Sequence, residues 1–349
     1  MAAQPFSFGF SGDDIDVDLD EGVPVDVAAT ATASTTVAAG AAQLEPKVHG
    51  LGGLLSTLPS KVSYTTLTIL TLKGNTIKIP RRELFDIRMQ LMAEDDEDSA
   101  LLADLGNDDI RANVYEGGLK SWECSVDLVR VLVDDGGLWG GGEERLKVME
   151  LGSGTALPTL YLFQQVLIRN TKNPHFSISD YNADVLRLVT IPNLLLSWAM
   201  ITGAIPDPWP TDDDLEISPG LLQRFTADLD ARGIVVDILS GAWGLRFIEL
   251  VHVKPWLVLA SETIYSPASL PAFVQTLVEV LDRHGSHAAR ALVAAKMVYF
   301  GVGGGVQEFL RLLRQEYGNV GQERYLFDTF EVAEKSGGVA RVVLELPVG

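Results

Sequence analysis

The fold is decided by Val148-Met149-Glu150-Leu151-Gly152-Ser153-Gly154-Thr155-Ala156. This stretch is typical of a buried strand, an acid, a Gly-x-Gly turn and the start of a helix. Glycines at such a turn let the backbone approach a ligand closely and adopt positive φ. The exposed N–H groups of the following helix favour polar or anionic ligand groups. At the carboxyl end of a parallel strand, this turn predicts a ligand site.

The spacing after Gly152 excludes two common phosphate-binding motifs. The dinucleotide fingerprint G-x-G-x-x-G/A requires a small residue where Leu157 stands, and the loop G-x-x-x-x-G-K-[ST] is absent. Glu150, two residues before the first glycine, suits a ligand with a cationic amine and no pyrophosphate, such as S-adenosylmethionine (AdoMet). A tight strand–helix turn without a ligand is the alternative at this point.

A second acid, Asp180, ends the next predicted strand in Ser179-Asp180-Tyr181-Asn182. An acid at that position can accept hydrogen bonds from both hydroxyls of a ribose. Capping of the following helix is the alternative role, but Asn182 can fill it. Asp180 is therefore a candidate ligand residue.

From about residue 110, predicted strands alternate with predicted helices. Near-continuous apolar strands between amphipathic helices predict a parallel sheet covered on both faces. Pro192 should kink or split one helix. The strands are predicted at 146–151, 176–180, 234–239, 256–261 and 290–295, and the helices at 121–133, 155–168, 183–200, 267–284 and 305–317. Residues 323–330 and 339–346 follow without a helix between them, and predict a terminal antiparallel hairpin.

The predicted fold class is therefore α/β, with a Rossmann-like, mostly parallel sheet of seven strands that ends in an antiparallel β-hairpin. The sequence divides into a disordered acidic tail at 1–46, an N-terminal extension at 47–109 and the main domain at 110–349. Within the extension we predict strands at 62–72 and 76–79, a helix at 80–93 that starts at Pro80, and an acidic loop at 94–109.

The charge is strongly acidic, with 47 Asp and Glu against 27 Lys and Arg and a net charge of −20. This balance argues against nucleic acid as the main ligand, because phosphate binding needs clustered cations. Residues 1–46, 94–109 and 205–216 contain 8, 8 and 5 acids and no Lys or Arg. We expect these segments to be solvated and flexible, and they would attract a basic protein.

Several simple features limit the remaining classes. The single cysteine, Cys124, excludes an intrachain disulfide and fits a reducing compartment. No run of eighteen apolar residues and no leader-like segment is found, so we expect no membrane contact. His284 and His287 lack a third ligand, so we expect no metal. We expect a monomer in the cytoplasm and nucleus.

Further motifs surround the glycine turn. The most specific are Ser261-Glu262-Thr263-Ile264-Tyr265 and Tyr299-Phe300-Gly301-Val302-Gly303-Gly304-Gly305, and the others are Val114–Lys120, Trp122-Glu123-Cys124, Pro192-Asn193 and Ser240-Gly241-Ala242-Trp243. With these motifs the chain resembles the protein-histidine N-methyltransferases of the seven-β-strand, AdoMet-dependent class, in particular the branch that methylates a large-subunit ribosomal protein. The resemblance covers about residues 110–349 and the FSFGF start.

The resemblance implies which residues hold the cofactor. It implies that the Trp122–Ser125 segment lies across AdoMet, that Asp180 holds the ribose, and that Ala242 and Trp243 flank the adenine. The family usually has an acid where Ala242 stands, so one hydrogen bond to the adenine amino group is in question, while Trp243 keeps the stacking face. The predicted cofactor residues are Trp122, Glu123, Cys124, Ser125, Glu150, Gly152, Gly154, Asp180, Tyr181, Asn182, Gly241, Ala242, Trp243 and Ser261.

The acceptor side is predicted from the other two motifs. Glu262 and Tyr265 follow the buried strand 256–261 at the ligand end of the sheet and are the predicted catalytic residues. Glu262 would accept the proton on the far nitrogen of an imidazole, with Tyr265 against the ring. A helix cap is the alternative for both. Phe300, Gly303 and Gly304 are predicted to form a wall for the substrate.

The function predicted from this resemblance is methyl transfer from AdoMet to a histidine nitrogen of a basic protein, a large-subunit ribosomal protein. Three alternatives stay open: a protein-lysine methyltransferase of the same class, a small-molecule methyltransferase, and a non-catalytic protein of this fold that escorts a ribosomal protein. The glycine turn, Asp180 and Trp243 argue against lost cofactor binding.

Overall fold

The computed structural model describes residues 43–94, 117–135, 138, 146–283, 289–318, 324–329 and 338–347 of the 349-residue chain. The strands are β1 (Lys47–His49), β2 (Lys61–Leu70), β3 (Thr76–Arg82), β4 (Lys147–Leu151), β5 (His175–Asp180), β6 (Asp212–Glu216), β7 (Val235–Ser240), β8 (Leu257–Ser261), β9 (Arg290–Lys296), β10 (Arg324–Asp328) and β11 (Arg341–Pro347). The FSFGF start, most of the acidic tail and loop, residues 114–116, His284 and His287 lie outside the described residues.

The helices cover the sheets. They are α1 (Leu51–Leu55), α2 (Leu84–Ala93), α3 (Glu123–Asp134), α4 (Leu157–Arg169), α5 (Ala183–Val185), α6 (Ile191–Ile201), α7 (Pro219–Arg232), α8 (Leu245–Leu250), α9 (Leu270–Asp282) and α10 (Val306–Tyr317), and a π-helical turn spans Leu186–Thr190. The alternation of strands and helices that the sequence predicts after residue 110 is confirmed.

The larger sheet has eight strands in the order β1-β7-β5-β4-β8-β9-β11-β10. Strands β7, β5, β4, β8 and β9 run parallel, whereas β11 is antiparallel to β9 and β10 is antiparallel to β11. The predicted mostly parallel sheet with a terminal antiparallel hairpin is therefore confirmed. The order reverses between β4 and β8, which is where a doubly wound sheet opens a ligand cleft.

Alternate residues of the parallel strands feed two separate cores. Val148 of β4 packs into the core on one face, while Met149 and Leu151 pack into the core on the other. In β8, Leu257 and Leu259 alternate in the same way with Val258 and Ala260. Both faces of these strands are therefore buried in apolar cores, which fixes the positions of the strand ends.

The segment Ala183–Ile201 is long and apolar enough to cross a membrane by length and composition, but 83% of its most apolar window is buried inside the protein. It is thus a core helix. The predicted break near Pro192 is observed as the π-helical turn Leu186–Thr190 that directly precedes it. Proline lacks the N–H for a regular helical bond, so the wider turn accommodates it.

The helix predicted to start at Pro80 is wrong in its first residues. Pro80 does not start a helix: it lies in β3 opposite Thr66, and the helix begins only at Leu84. Strand β3 is an edge of the three-stranded sheet β3-β2-β6, where a proline removes no required ladder bond.

The acidic segment 205–216 is not a flexible loop throughout, because Asp212–Glu216 forms strand β6. It pairs antiparallel with β2, and the Asp214 carboxylate receives hydrogen bonds from Lys61 Nζ and Ser63 Oγ, each at 2.5 Å. Cross-strand pairing with a cation and a hydroxyl offsets the repulsion that the sequence alone emphasises.

Strand β1 was not predicted. It pairs antiparallel with β7, with Val48 opposite Leu239. Residues 43–46, which the sequence analysis placed in the acidic tail, lead into this strand and lie against the β7 end. Three residues are too few to show a strand period, so only the pairing reveals the element.

Candidate active site

A cleft opens at the carboxyl ends of the parallel strands, where their order reverses. Its empty volume is about 1230 Å³, part of which is open to solvent. This is large enough for a nucleoside-sized ligand. Eleven of the predicted site residues line it: Trp122, Ser125, Gly152, Gly154, Asp180, Tyr181, Ala242, Trp243, Ser261, Glu262 and Tyr265.

The glycine turn forms the floor of the cleft. Gly152 and Gly154 have φ of 66° and 51°, in the left-handed region that favours glycine. A Cβ at Gly152 would lie 2.9 Å from Thr263 Cγ2, and one at Gly154 would lie 3.1 Å from the Gly118 carbonyl oxygen. The two glycines thus keep the turn free of side chains at positions 152 and 154, which leaves space for a ligand.

Two buried side chains hold this turn from behind. Thr190 Oγ1 donates to the Gly154 carbonyl oxygen at 2.7 Å, and Asn193 Nδ2 donates to the Thr155 carbonyl oxygen at 3.1 Å. Asn193 Oδ1 also accepts from the Arg82 backbone N–H at 2.7 Å. Asn193 of the Pro192-Asn193 motif thus fixes the glycine turn, a role that the sequence did not reveal.

Asp180 is the last residue of β5 and lines the cleft. Its Oδ2 accepts from the Gly154 N–H at 2.9 Å and its Oδ1 from the Asn182 N–H at 3.2 Å. Asn182 caps α5 by accepting from the Asp184 N–H at 2.9 Å, as expected, and does not line the cleft. Asp180 is oriented toward the cleft by backbone donors, which suits a carboxylate that receives hydroxyl groups.

Glu150 differs from its prediction as a residue that contacts the cofactor. It is fully buried and outside the cleft lining, and its Oε2 accepts from the Thr159 N–H at 3.1 Å in the first turn of α4. Burial, with a smaller effect of Asp180, raises the pKa of this carboxyl to about 8. The structure therefore gives Glu150 a place at a helix terminus and not beside a cationic amine.

The Trp122–Ser125 segment contributes half of its predicted residues. Trp122 and Ser125 line the cleft, and Trp122 Nε1 donates to the Gly117 carbonyl oxygen at 2.9 Å. Glu123 instead lies 3.6 Å from Lys296 Nζ. Cys124 is fully buried behind the cleft, where burial raises the pKa of its thiol well above the ordinary value. Side chains alternate around a helix, so a contiguous motif cannot face one ligand throughout.

A further part of the cleft is formed by residues that follow β7. The Trp243 ring packs against Phe273 with the centroids 5.1 Å apart, and Trp243 lines the cleft. The Ala242 N–H donates to the Leu44 carbonyl oxygen at 2.9 Å. Gly241 does not line the cleft, and its predicted role as a cofactor residue is replaced by contact with residues 45 and 46.

Glu262 directly follows β8 and lines the cleft. It is a non-glycine residue with φ of 56°, a strained conformation that is typical of functional sites. Its Oε2 accepts a short hydrogen bond from Tyr299 Oη at 2.5 Å. Burial raises the pKa of this carboxyl, whereas Cys124, Tyr299 and Lys296 oppose the rise.

Tyr299 and Lys296 are site residues that the sequence analysis missed. Both line the cleft, and Tyr299 Oη accepts from the Lys296 backbone N–H at 3.2 Å. The Tyr299 ring contacts Tyr265 edge-on, with the centroids 6.2 Å apart. Burial and the Glu262 carboxyl raise the pKa of Tyr299 well above the ordinary value. The available signal was position: both residues stand where β9 ends, at the same sheet edge as Glu262.

The predicted substrate wall is only partly as expected. Phe300, Gly303 and Gly304 do not line the cleft, although Val302 between them does. Phe300 is 78% exposed at the rim. A Cβ at Gly304 would lie 2.2 Å from the Tyr265 carbonyl oxygen, so this glycine is required for packing against the strand end.

The cleft fits AdoMet on three observations. The glycine turn admits a ligand against the backbone, Trp243 offers a flat face, and Asp180 is a carboxylate at the ribose position. Three buried polar atoms of the cleft have no N–H or O–H hydrogen-bond partner among the described residues. They are Ser153 Oγ, Thr263 Oγ1 and Glu262 Oε1. Unsatisfied buried polar atoms in a cleft indicate a missing partner. In the described part of the chain, no group of three or more His, Cys, Asp or Glu residues could hold a metal ion.

The strand order, the terminal hairpin and this cleft together define an AdoMet-dependent methyltransferase. The sequence is 38% identical to histidine protein methyltransferase 1 of Saccharomyces cerevisiae over an alignment of 298 residues that covers 77% of each chain. It is also 38% identical to the protein of that name from Schizosaccharomyces pombe, over 74% of each chain. The chain therefore belongs to the histidine protein methyltransferase 1 family.

More distant comparisons add little. The Bos taurus homolog of histidine protein methyltransferase 1 is 31% identical over 68% of this chain and 57% of its own length. A putative class I AdoMet-dependent methyltransferase from Listeria monocytogenes is 13% identical, with a TM-score of 0.36 over 76% of this chain and 68% of that one. Because this TM-score is low, the fold is assigned from the strand order of the chain itself and not from this comparison. No protein-family model matches the sequence.

Proposed function

We propose that this protein transfers the methyl group of AdoMet to an imidazole nitrogen of a histidine in a basic protein, namely a large-subunit ribosomal protein. The observation that carries the proposal is the position of Glu262. Its carboxylate lies at the edge of the cofactor cleft, and its backbone has a strained, positive φ. One of its oxygens is held by Tyr299, and the other has no N–H or O–H partner among the described residues. Membership of the histidine protein methyltransferase 1 family supports the same acceptor.

When bound, AdoMet supplies a methyl group on a cationic sulfur that leaves as a neutral thioether. The chain's own residues therefore align the acceptor and exclude water. A neutral imidazole, with an unperturbed pKa of about 6.5, is already a nucleophile at pH 7. It needs a group that accepts the N–H of its non-reacting nitrogen, because that bond decides which nitrogen faces the methyl group.

Glu262 suits this task in its geometry. Tyr299 donates to Oε2 and so fixes the plane of the carboxylate, and the Cys124 thiol is a further hydrogen-bond partner of this carboxyl. Oε1 has no N–H or O–H partner among the described residues, and we assign to it the bond from the imidazole. As the methyl transfers, positive charge develops on the ring, and a carboxylate stabilises it. A lysine acceptor would first have to lose a proton from a group with a pKa of about 10.4.

Charge supports a basic partner. The net charge of −20 would favour encounter with a cationic protein and disfavour a free nucleic acid. Ribosomal proteins are basic, which agrees with the branch that the motifs resemble. We further propose that the protein acts as a monomer in the cytoplasm and nucleus, where such substrates are made and assembled, without a membrane or nucleic-acid partner.

The test is labelling of a lysate that lacks this protein with purified enzyme and AdoMet carrying a labelled methyl group. The labelled protein is identified, and its hydrolysate is analysed for methylhistidine and methyllysine. We expect methylhistidine in a large-subunit ribosomal protein. Methyllysine would assign the protein to the lysine class, and AdoMet binding without any labelled protein would favour an escort.

The role of Glu262 is tested by single-turnover methylation with saturating AdoMet. Loss of a general acid–base group lowers a rate by about 100-fold or more, and we expect Glu262→Gln to lie at the low end because the imidazole is already neutral. Glu262→Ala should be slower still. Calorimetry should show AdoMet affinity close to that of the parent. If Glu262→Gln reacts as fast as the parent, the carboxylate does not orient the acceptor imidazole, and the role proposed for it is wrong.

A further inference from the structure

We propose that Gln43 and the three residues after it, here called the strap (residues 43–46), complete the adenine end of the cofactor site. Gln43 lines the same cleft as Ala242 and Trp243. The strap reaches this position from the opposite end of the sequence, so no motif near the glycine turn predicts it. This inference rests on AdoMet as the cofactor and is independent of which residue accepts the methyl group.

The strap is attached to the β7 end of the sheet by specific bonds. The Leu44 carbonyl oxygen accepts from the Ala242 N–H at 2.9 Å, and the Leu44 N–H donates to Tyr181 Oη at 3.4 Å. Directly after the strap, β1 pairs with β7, and His49 Nε2 lies 2.7 Å from Ser240 Oγ. The strap is thereby bonded to two residues that line the cleft, Tyr181 and Ala242.

Gly241 is required for the strap to lie there. Its φ is 111°, and a Cβ would lie 2.6 Å from Pro46 Cα and 2.8 Å from the Glu45 carbonyl oxygen. Both neighbours are backbone atoms, which cannot move aside cheaply. The sheet end is therefore shaped to receive the strap, and the glycine serves the strap although it does not line the cleft itself.

The strap offers a chemical group that Ala242 lacks. The methyl side chain of Ala242 cannot accept a hydrogen bond from the adenine amino group. The Ala242 backbone N–H is a donor, and it already donates to the Leu44 carbonyl oxygen. The side-chain amide of Gln43 has a carbonyl oxygen that accepts and an NH₂ group that donates. We assign to Gln43 the acceptor for the adenine amino group.

The first experiment measures AdoMet affinity by calorimetry in four full-length proteins: the parent, Gln43→Ala, Gln43→Glu and Gln43→Ala combined with Ala242→Asp. Loss of one hydrogen bond in a partly solvated site should weaken AdoMet by about 10-fold in Gln43→Ala. Gln43→Glu keeps an acceptor and should stay within about 3-fold of the parent. Ala242→Asp should restore affinity in the Gln43→Ala background. The matched control, Gln90→Ala on α2, should bind as the parent does.

The second experiment tests the position of the strap in the intact chain. Lys47 is the first Lys or Arg of the sequence, and it is exposed one residue after the strap. Trypsin cleavage after Lys47 should slow by about 10-fold when AdoMet is added, because a ligand that binds the ordered strap stabilises it. Cleavage after Lys73, in an exposed turn outside the cleft, should not change.

The protection should also depend on Gly241. Gly241→Ala places a Cβ against the strap and should abolish the effect of AdoMet at Lys47. Gly244→Ala is the matched control, because its φ of 131° carries similar strain while no atom lies within 4 Å of the added Cβ.

The outcomes separate two failures. If the parent does not bind AdoMet, the cofactor assignment fails. If the parent binds AdoMet but Gln43→Ala binds equally well and Lys47 is not protected, the strap is not part of the site and the inference is overturned.

Discussion

The two walls of the cleft are built differently. The wall that we propose for the cofactor, here called the cofactor wall, is the glycine turn, held from behind by the uncharged side chains of Thr190 and Asn193. The wall that we propose for the methyl acceptor, here called the acceptor wall, consists of three titratable side chains, Glu262, Lys296 and Tyr299, whose charges influence one another. The first wall determines by its shape which ligand fits, whereas the second acts through the charges of its side chains. Changes in the first should alter cofactor affinity at every pH, and changes in the second should alter the rate and its pH dependence.

The largest effect is expected from shape. Gly152→Val should lower AdoMet affinity by more than about 100-fold, because the side chain fills space against Thr263 and Trp243 that the ligand needs. Gly203→Val is the control: its φ of 78° imposes similar backbone strain, but no atom lies within 4 Å. Calorimetry measures both, and circular dichroism checks folding. A folded Gly152→Val protein with parental affinity would show that the cofactor wall lies elsewhere.

The next effect should fall on the acceptor wall alone. Tyr299→Phe removes a hydrogen bond to the Glu262 carboxylate, so we expect a rate about 10-fold lower with unchanged AdoMet affinity. The pKa of Glu262 is already raised by burial, and losing this donor raises it further. The active form is ionised, so activity is lost as pH falls through the pKa, and the loss should begin at higher pH in the variant.

Single-turnover rates across pH measure this shift, and Tyr325→Phe on β10 is the control. Identical pH profiles for the parent and Tyr299→Phe would contradict the coupling between the two side chains.

A third effect concerns stability and lies behind both walls. The pKa of Glu150 is about 8 in the folded protein, above its ordinary value of 4.5. The folded state therefore keeps a proton that the unfolded chain releases, so this group's contribution to stability is present at low pH and is lost as pH rises toward 8. Glu150→Gln cannot titrate. Between pH 5 and pH 9, the free energy of unfolding of the variant should gain roughly 2–4 kcal/mol relative to the parent.

Urea unfolding at both pH values measures this difference. A constant difference between the two proteins would mean that Glu150 is ionised throughout. The same variant should bind AdoMet nearly as the parent does, since Glu150 does not line the cleft.

The smallest effect is expected from the acidic N-terminal residues. Deleting residues 11–42 removes seven acids but keeps the strap, so AdoMet affinity should be unchanged. kcat/KM for a basic protein substrate should fall a few-fold at low salt, and the difference should disappear near 0.5 M salt because the charges are screened. A difference that persists at high salt would indicate direct contact and not attraction at a distance.

The cofactor wall was the more predictable of the two because its signal is local. Gly152 and Gly154 follow a buried strand and Asp180 ends one, and the carboxyl ends of parallel strands meet at one edge. Position does not reveal direction, however. Glu150 and Asp180 both stand near strand ends, but one reaches a helix terminus and the other the cleft.

The acceptor wall depends on contacts between distant parts of the sequence. Tyr299 acts on Glu262 across 37 residues, and no spacing in the sequence predicts that hydrogen bond. Strand β6 is a similar case: Asp212–Glu216 is polar and forms a strand only because β2 pairs with it. Local pattern predicts elements with a strong period, and tertiary pairing decides the others.

Strand β1 has a consequence for association. The strands β7, β5, β4, β8 and β9 are apolar and parallel, and an open edge of such a sheet would recruit strands from other molecules. At one edge, β7 is covered by β1, which has only three residues and begins at an exposed lysine. At the other edge lies β10, a five-residue strand that begins with Arg324 and ends with Asp328. Short, charged outer strands are poor templates for further pairing. Strand β1, which directly follows the strap, thus shields the aggregation-prone side of the sheet.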